Sequence, residues 1–542
     1  MRLEAARFTG DANFSGVVFS GYTGFSGAQF EKVAQFDGAH FVDVAHFETS
    51  QFGDIAWFAR ARFEKDASFL GADFRDTTLM SRVRFDTEAA FAGARFGGEA
   101  HFGETVFGGE AAFQGARFLG AARFGEARFG ADARFDRTCF SAIAVFAGNT
   151  FGGHAGFAQA QFDGYLTFAS AEFTSTSILG PMTCTRTVDL SGAVFTVPMT
   201  AQVAARQLTC VRTRWESTAT LRVRYASVDL TDAVLSAPLA VAAHPTPFDM
   251  GGSGPLGEEQ LAGCAPSAAV TSVKGVDAAH LVLTDTDLTD CAFTGSFHLD
   301  QIRLEGRITF AAVPRGVHRR CLWPVRCSPR RVVAEERRWR ARAGQRLWRS
   351  DTPFSDATHT PGPQDVAAVY RHLRKAFEDG KNEPGAADFY YGEMEMRRHD
   401  RIDTPRGERA LLAGYWLLSG YGLRSSRALS WLLAAMSVTA LLLMLFGMPN
   451  RDLGPISRGT VTNGHIALAT MTPDPDLAGT WHQRLSAKRA EKATQVVVNS
   501  VIFRSSGQNL TTSGTYIEMA SRLLEPTLLA LAVLAVRGRI KR

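Results

Sequence analysis

Phenylalanine recurs at alternating intervals of six and five residues through the first third of the chain, and this spacing constrains the fold more than any other feature. The series runs from Phe8 to Phe173, and Met80 is the one exception among its 31 positions. The residue two places before each position is Ala in 22 of the 31 cases. The sequence therefore repeats every eleven residues. Its 40 Phe and 51 Gly against 9 Tyr are typical of a repeat protein.

Three backbone conformations compete to explain the repeat. In an α-helix, neighbouring Phe side chains would lie about 140° apart. Such a helix would carry two stripes of Phe and a glycine in nearly every repeat, and each glycine would cost about 1 kcal/mol relative to Ala. In a flat strand, a step of five residues sends successive Phe side chains to opposite faces. Short extended segments separated by corners place each Phe and the small residue two before it on the same inner side, with Gly, Asp, Asn and Ser in the corners. The pattern therefore favours a coiled wall.

Several segments of this wall resemble the pentapeptide-repeat proteins, among them FSGAQF (25–30), FDGAHF (36–41), FLGADF (69–74) and FGEARF (124–129). The resemblance implies an all-β right-handed quadrilateral β-helix with Leu or Phe at its centre and Ala two places before. The extra residue in every second unit predicts about 22 residues per coil rather than about 20. Representative members of the predicted inner ladder are Phe36, Phe41, Phe47, Phe52, Phe91, Phe96, Phe102 and Phe107.

The repeat weakens further along the chain without ending abruptly. We assign 1–173 to a regular β-helix and 174–310 to an irregular continuation, in which Leu replaces Phe at several positions. The segment 242–267 contains HPTPFDMGGSGPLG and is predicted to form a loop. Met1 lies close to the first coil, so either the true start lies upstream or that end pairs with another chain. The second alternative leads us to expect a homo-oligomer.

The composition becomes strongly basic after the repeat. Twelve Arg and two Glu lie between Arg315 and Arg349, interleaved with three Trp, and we interpret 311–364 as a basic linker. Such a segment suits either nucleic acid or an anionic membrane surface, and the apolar segments that follow favour the membrane. The residues predicted to face that surface are Arg319, Arg320, Arg330, Arg331, Arg337 and Arg338.

A helical hairpin and a membrane region are predicted to complete the chain. Apolar residues at helical spacing on both sides of DGKNEPG predict a helix-turn-helix over 365–402. Within 403–542, the segments near 428–448 and 516–536 are apolar enough to cross a membrane as helices. The preceding 410–423 is too short to span and is expected at the interface or packed as a short helix. Basic residues flanking the spans predict a multi-pass membrane protein with both termini, and hence the β-helix, in the cytoplasm.

The order span, short helix, polar loop, span resembles a degenerate two-span pore domain of the potassium-channel type. The candidate short helix covers 491–506, and the segment TSGTY (512–516) shares the Thr-x-Gly start of the channel filter. The resemblance makes Thr512, Gly514 and Tyr516 a candidate pore loop. The family filter is TVGYG, however, and here the second Gly is absent and the Tyr is displaced.

The sequence contains no constellation that indicates catalysis, a cofactor or a metal. The 7 Cys form no CxxC pair, which argues against zinc and disulfides and fits a reducing compartment. Residues 1–173 hold 21 Asp or Glu against 15 Lys or Arg. This excess is small for mimicry of DNA, as the gyrase-binding members of the resembled family practise it, and nucleic acid is disfavoured as a partner. We predict a non-enzymatic scaffold at the membrane that binds lipids and an unknown protein. The alternative is an ion-channel-like protein with a β-helix sensor.

Overall fold

The computed structural model describes residues 1–248, 258–261, 263, 265–314, 317–320, 323–326, 329–345, 348, 361–449, 456–462, 465–471, 477, 480–502 and 510–540. The chain divides into two compact units, Met1–Glu393 and Met394–Arg542.

The first unit begins as a parallel β-solenoid of about 13 turns. Each regular coil holds four two-residue strands, the first four being Arg7–Phe8, Ala12–Asn13, Val18–Phe19 and Thr23–Gly24. Later coils repeat these strands 22 residues further on, up to Glu172–Phe173. Neighbouring coils pair in parallel, with Phe8 opposite Phe30 and Phe19 opposite Phe41. The predictions of a 22-residue coil and of a β-helix followed by helices are therefore confirmed.

Phenylalanine side chains fill the interior of the solenoid. Each ring stacks on the ring one coil away, as in Phe41 and Phe63, whose centroids lie 4.5 Å apart with planes at 2°. Within one coil the rings meet edge to face, as in Phe36 and Phe47 at 86°. The eight representative ladder residues are all fully buried: Phe36, Phe41, Phe47, Phe52, Phe91, Phe96, Phe102 and Phe107. Both ring arrangements are favourable, so the interior is held by stacking along the axis and edge contacts across it.

Two kinds of corner explain the alternation of five and six. Each five-residue interval contains a residue with left-handed backbone two places after a Phe, such as Gly16 (φ 66°) after Phe14. The same conformation recurs every eleven residues, with glycine at seven of the fifteen corners from Gly16 to Ser170 and other residues, such as Thr49 and Arg60, at the remaining eight. The six-residue intervals of the regular coils contain no left-handed residue. Glycine adopts this conformation without steric cost, and the extra residue lets the other corners turn without it.

The coils change character after Phe173. Val194 pairs with Arg214, and Arg214 with Val234, so a coil now takes 20 residues. The strand Ile178–Asp189 pairs with strands on two neighbouring sides of the preceding coil, because one corner has become continuous strand. The strands of this part are Ile178–Asp189, Val194–Phe195, Met199–Thr209, Arg214–Trp215, Ala219–Arg224, Ser227–Asp229, Val234–Leu235, Leu239–Ala243, Ala268–Ser272, Leu281–Thr284, Thr286–Asp287 and Arg303–Glu305, with 3₁₀ turns at Glu259–Leu261, Ala278–His280 and Leu299–Gln301.

The predicted loop at 242–267 falls between the strands Leu239–Ala243 and Ala268–Ser272. Its residues 249–257, 262 and 264 lie outside the described part of the chain. Phe248 and Leu261 are buried against Ala204 of an inner strand. The loop therefore packs part of its apolar surface onto the solenoid.

Three helices follow the solenoid: α1 (Ala334–Arg342), α2 (Pro363–Asp379) and α3 (Glu383–His399), and the boundary between the two units falls within α3. Phe310 at the end of the solenoid contacts Phe389 of α3 at 5.0 Å and Phe377 of α2 at 5.9 Å. Lys375 Nζ of α2 donates to Asp300 Oδ2 at 2.6 Å. The α2–α3 hairpin, predicted from helical spacing, thus covers the last coil of the solenoid.

The described residues of 311–364 form short strands and a helix. Ala311–Ala312 pairs antiparallel with Arg331–Val332, Val317–Arg320 pairs with Trp323–Arg326, and α1 follows. Residues 351–360 lie outside the described part of the chain. Apolar residues among the arginines of the predicted basic linker, such as Val332 and Val333, are buried.

Where it is described, the second unit consists of helices and one β-hairpin. Its elements are α4 (Arg406–Ser419), α5 (Ser425–Leu442, continued as a π-turn over Leu443–Gly447), the strands Ile456–Thr462 and His465–Met471, α6 (Trp481–Arg484), α7 (Ala487–Ile502) and α8 (Thr512–Ile540). A core of Leu443, Met448, Ala493, Val496 and Val497 joins the end of α5 to α7. The helix α7 matches most of the short helix predicted over 491–506.

The close spacing of the coils predicts a sharp difference between two glycines five residues apart. A Cβ added at Gly120 would lie 2.3 Å from the backbone oxygen of Gly98 in the adjacent coil, and at Gly125 it would lie 3.8 Å from Ala147 O. We expect Gly120→Ala to destabilise the solenoid by about 1–3 kcal/mol through overpacking, and Gly125→Ala to change stability by about 0.5 kcal/mol or less. Hydrogen exchange of amides 96–140 in the full chain measures both. Equal exchange rates in the two variants would contradict the prediction.

Candidate interaction and membrane-anchoring sites

The outer wall of the solenoid carries charges that are paired between adjacent coils. Arg62 Nη2 lies 3.0 Å from Asp86 Oδ2, and Arg82 Nη2 lies 2.8 Å from Glu104 Oε1. Burial by itself raises the pKa of Asp86, but hydrogen bonds from Arg84 and Arg62 outweigh it and hold that pKa below its ordinary value. Further pairs that join neighbouring coils are Arg7–Glu31, Arg60–Asp37, Arg95–Asp73, Arg123–Glu99 and Arg134–Glu110. Many acidic groups of the wall are therefore neutralised locally.

The outward histidines belong to the same pairing. His40 Nε2 lies 2.9 Å from Glu64 Oε1, and His46 Nδ1 lies 2.8 Å from Glu48 Oε1. Both histidines stand on the outer side of coils whose inner side is phenylalanine. In the described part of the chain, His, Cys, Asp and Glu form no group of three or more suited to a metal ion.

A buried ion cluster lies in the segment predicted to be a basic surface. Glu336 is fully buried and accepts hydrogen bonds from Arg330 Nη2 at 2.5 and 2.7 Å, from Arg340 Nε at 2.6 Å and from Tyr370 Oη at 2.5 Å. Burial by itself raises the pKa of Glu336, but the positive charges of Arg330 and Arg340 hold it below its ordinary value. The cluster ties α1 to α2, because Tyr370 belongs to α2.

The neighbouring Glu335 makes a different contact. One of its oxygens, Oε1, accepts from the backbone N–H groups of Phe293 at 2.5 Å and Thr294 at 3.0 Å, in the last coils of the solenoid. Its other oxygen, Oε2, is buried without a hydrogen-bond partner. Burial raises the pKa of Glu335, and the backbone hydrogen bonds only partly offset this. Glu335 therefore docks α1 onto the solenoid at an electrostatic cost.

The six predicted membrane-surface arginines do not form one surface. Arg330 is 7% exposed and belongs to the buried cluster, which corrects its expected position. Arg337 Nη1 pairs with Asp290 Oδ1 at 2.9 Å, and Arg338 Nη2 donates to Asp290 O at 3.3 Å. Arg331 is partly exposed and its backbone pairs with Ala312. Arg319 and Arg320 lie in a described strand, but their side chains lie outside the described part.

The second unit holds two helices long and apolar enough to cross a membrane, Ser425–Gly447 and Thr512–Arg537. They coincide with the predicted spans to within a few residues, and only a minority of their residues are buried. Trp416 of α4 lies just before the first of them. Its ring stacks with Arg398 at 4.4 Å and with Arg427 at 5.1 Å. A Trp between two Arg is an arrangement suited to the boundary of a membrane.

Two basic residues bind the C-terminal end of α5. Arg489 Nη2 donates to Met448 O at 2.6 Å and to Met444 O at 3.0 Å, and Arg484 Nη1 donates to Leu445 O at 3.1 Å. Carbonyl groups at a helix C-terminus have no partner within the helix and attract positive charge. These two arginines therefore bind the C-terminal carbonyl groups of α5, a contact that counting charges along the sequence does not show.

The candidate pore loop is helical. Thr512, Gly514 and Tyr516 lie in the first turns of α8. Gly514 lies against Gly447, since a Cβ added at Gly514 would come within 2.4 Å of Gly447 O. Helical carbonyl groups accept hydrogen bonds from residues four places further on and do not line an ion path. The expectation of a filter-like loop at these residues is corrected, because the Thr-x-Gly segment serves close packing of α8 on α5.

Glu525 interrupts the second apolar segment of the sequence. Glu525 lies in the middle of α8 and is fully buried. Polar and apolar residues are distributed too evenly around α8 for the sequence to show that this carboxyl group points inward. The sequence signal that could have identified Glu525 is the rule that ionisable residues within membrane spans mark functional sites.

The two adjacent glutamates of α1 yield a matched prediction. We expect Glu336→Gln to lower the free energy of unfolding by about 3–5 kcal/mol at neutral pH, because it leaves Arg330 and Arg340 without their counter-charge. That loss should shrink in acid. A carboxyl group whose pKa is depressed in the folded protein stabilises it above about pH 4.3, and this stabilisation disappears as pH falls through the pKa of Glu336 in the folded protein. Urea unfolding of the full chain at several pH values measures it.

The control is Glu335→Gln, which retains the acceptor oxygen but removes a charge that burial disfavours. A raised pKa lowers stability as pH rises above about 4.3, so this variant should equal or exceed the parent at neutral pH. A loss in Glu335→Gln as large as that in Glu336→Gln would contradict this assignment.

Comparison with known proteins agrees with this geometry over the regular coils. Residues 3–51, 25–73, 58–106 and 102–148 match the family model of pentapeptide repeats, in nine copies. Neither the curated proteins nor the solved structures contain a match to the chain. The β-solenoid of this protein is thus built, over residues 3–148, from pentapeptide repeats.

Proposed function

We propose that the chain is a membrane-anchored, non-enzymatic scaffold that presents its solenoid to a protein partner. The observation that carries this proposal is the continuity of the fold. A rigid parallel solenoid is covered at its C-terminal end by α1–α3, and two apolar helices of membrane-crossing length follow in the same chain. Repeat solenoids commonly act as extended binding surfaces, since each repeat adds the same area of exposed wall.

The charge pattern of the wall favours a protein as the partner. Mimicry of DNA needs a dense field of uncompensated negative charge. Here many acidic side chains, including Asp86, Glu104 and Glu110, are paired with arginines of adjacent coils. A wall of alternating signs instead suits the mixed polar rim of protein interfaces.

The cytoplasmic side is the proposed location of the solenoid. Arg424 and Arg427 precede the first span, and several basic residues follow the second. Positive charge near span ends marks the cytoplasmic side. Arg484 and Arg489 lie at the opposite end of α5, but they bind backbone carbonyl groups there. Homo-oligomerisation and lipid binding are part of the same proposal.

Ion conduction is the second candidate function. The helix α7 lies between the spans in the sequence and packs its residues Ala493, Val496 and Val497 against the end of α5. This is the order expected of a two-span pore domain. Reproducible cation currents from the purified full chain in planar bilayers would favour this function over the scaffold.

Anchoring is tested with two outward residues of the first span. Leu433 and Val438 are 64% and 55% exposed in α5. We expect Leu433→Arg with Val438→Arg to prevent stable insertion, because each arginine at a span centre costs about 2.5–3.5 kcal/mol. Fractionation of cells followed by carbonate extraction measures it. Ile402→Arg is the control, since Ile402 is 89% exposed and precedes the spans. A parent chain found wholly in the soluble fraction would refute membrane anchoring.

The scaffold role is tested by crosslinking mass spectrometry on native membranes. We expect reproducible crosslinks between outward residues of the regular coils, such as Lys32 and Lys65, and a second protein. Crosslinks confined to copies of this chain, together with cation currents, would contradict the scaffold and favour the channel.

A further inference from the structure

A buried carboxyl group lies among hydroxyl groups inside the second unit. Glu525 of α8 is fully buried, and its Oε2 lies 3.4 Å from Ser500 Oγ of α7. Ser500 Oγ also lies 3.3 Å from Ser521 Oγ. Thr439 of α5 brings a third hydroxyl group to the same carboxyl group. Three helices therefore contribute oxygen atoms to one enclosed pocket.

The hydroxyl group of each serine has a backbone carbonyl acceptor 2.9 Å away. Ser500 Oγ donates to Val497 O at 2.9 Å, and Ser521 Oγ donates to Glu518 O at 2.9 Å. Ser500 Oγ can also donate to Glu525 Oε2, but only at 3.4 Å, and a hydroxyl group has one proton. With that proton on the nearer Val497 O, Ser500 presents lone pairs to Ser521 and to Glu525. Oxygen atoms that can only accept repel one another unless a positive species lies between them.

The second feature of this cluster is the charge of the Glu525 carboxyl group. Among the described residues no ion pair reaches Glu525, and its Oε1 has no hydrogen-bond partner. The nearest basic residue of α8, Arg522, pairs with Glu518 at 2.7 Å. An isolated carboxylate in apolar surroundings is strongly disfavoured, which favours a bound cation at this group.

We propose that Glu525, Ser500, Ser521 and Thr439 form a binding site for a monovalent cation, either a proton or Na⁺. A single carboxylate balances a single positive charge, and hydroxyl oxygens are hard neutral ligands. Ca²⁺ takes six to eight oxygen ligands at about 2.3–2.6 Å, usually from several carboxylates, which this pocket does not offer. The site goes beyond the scaffold function and does not depend on it.

The experiment uses the full chain in lipid nanodiscs and the probe dicyclohexylcarbodiimide, which reacts with protonated carboxyl groups in apolar surroundings. Labelling is quantified by peptide mass spectrometry at neutral and alkaline pH, with NaCl or choline chloride at equal ionic strength. We expect labelling of Glu525 at neutral pH that exceeds labelling of Glu518 several-fold. Slower labelling in NaCl than in choline chloride identifies Na⁺ as a ligand, and equal rates identify the proton alone.

Two variants keep the test independent of folding. Glu525→Gln is isosteric and should abolish the labelled peptide and any Na⁺-dependent rise in melting temperature. Ser500→Ala leaves the carboxyl group in place but removes one ligand, and should change the labelling rate of Glu525 several-fold at neutral pH. The proposal is overturned if Glu525 of the parent stays unlabelled at neutral pH and Na⁺ does not raise the melting temperature. A membrane-embedded chain with that result would leave the scaffold function standing.

Discussion

The first unit depends on the stacking of phenylalanine rings from coil to coil. The rings lie 4.5 Å apart in Phe41–Phe63 and 5.3 Å apart in Phe85–Phe107, close to the separation of about 4.8 Å between hydrogen-bonded strands. The same spacing therefore satisfies the backbone and the aromatic core at once. Alanine two places before most of the rings leaves room for them, and Met80 shows that a flexible side chain of similar length can take the place of one ring.

The solenoid ends where the stacked phenylalanine rings give way to other side chains. Leu and Val replace Phe in the later coils, the coil shortens to 20 residues, and helices cover the end. The cover is held by buried polar contacts, with Glu336 between two arginines and Glu335 on the backbone of the solenoid. Breaking one partner of such a contact is costly because the other stays buried, so the cover is specific as well as stable.

The second unit handles its charges in two ways. Arg484 and Arg489 find acceptors in the carbonyl groups that end α5, so their charges are satisfied by the protein. Glu525 lies among hydroxyl groups, and no ion pair of the described residues reaches it. This contrast separates a structural use of ionisable residues from a binding use, and it is visible only when donors and acceptors are counted atom by atom.

The sequence by itself determined the coil, its 22-residue period and the two apolar spans, because periodicity and hydropathy are local properties of the chain. The tertiary structure alone decided the fate of individual polar residues. Arg330 was expected at a membrane surface and is buried against Glu336, and Thr512 and Gly514 were expected in a loop and begin α8. The burial of Glu525 was likewise decided by the tertiary structure. Which partner a charge or a glycine meets depends on segments distant in sequence, and composition carries no information about that meeting.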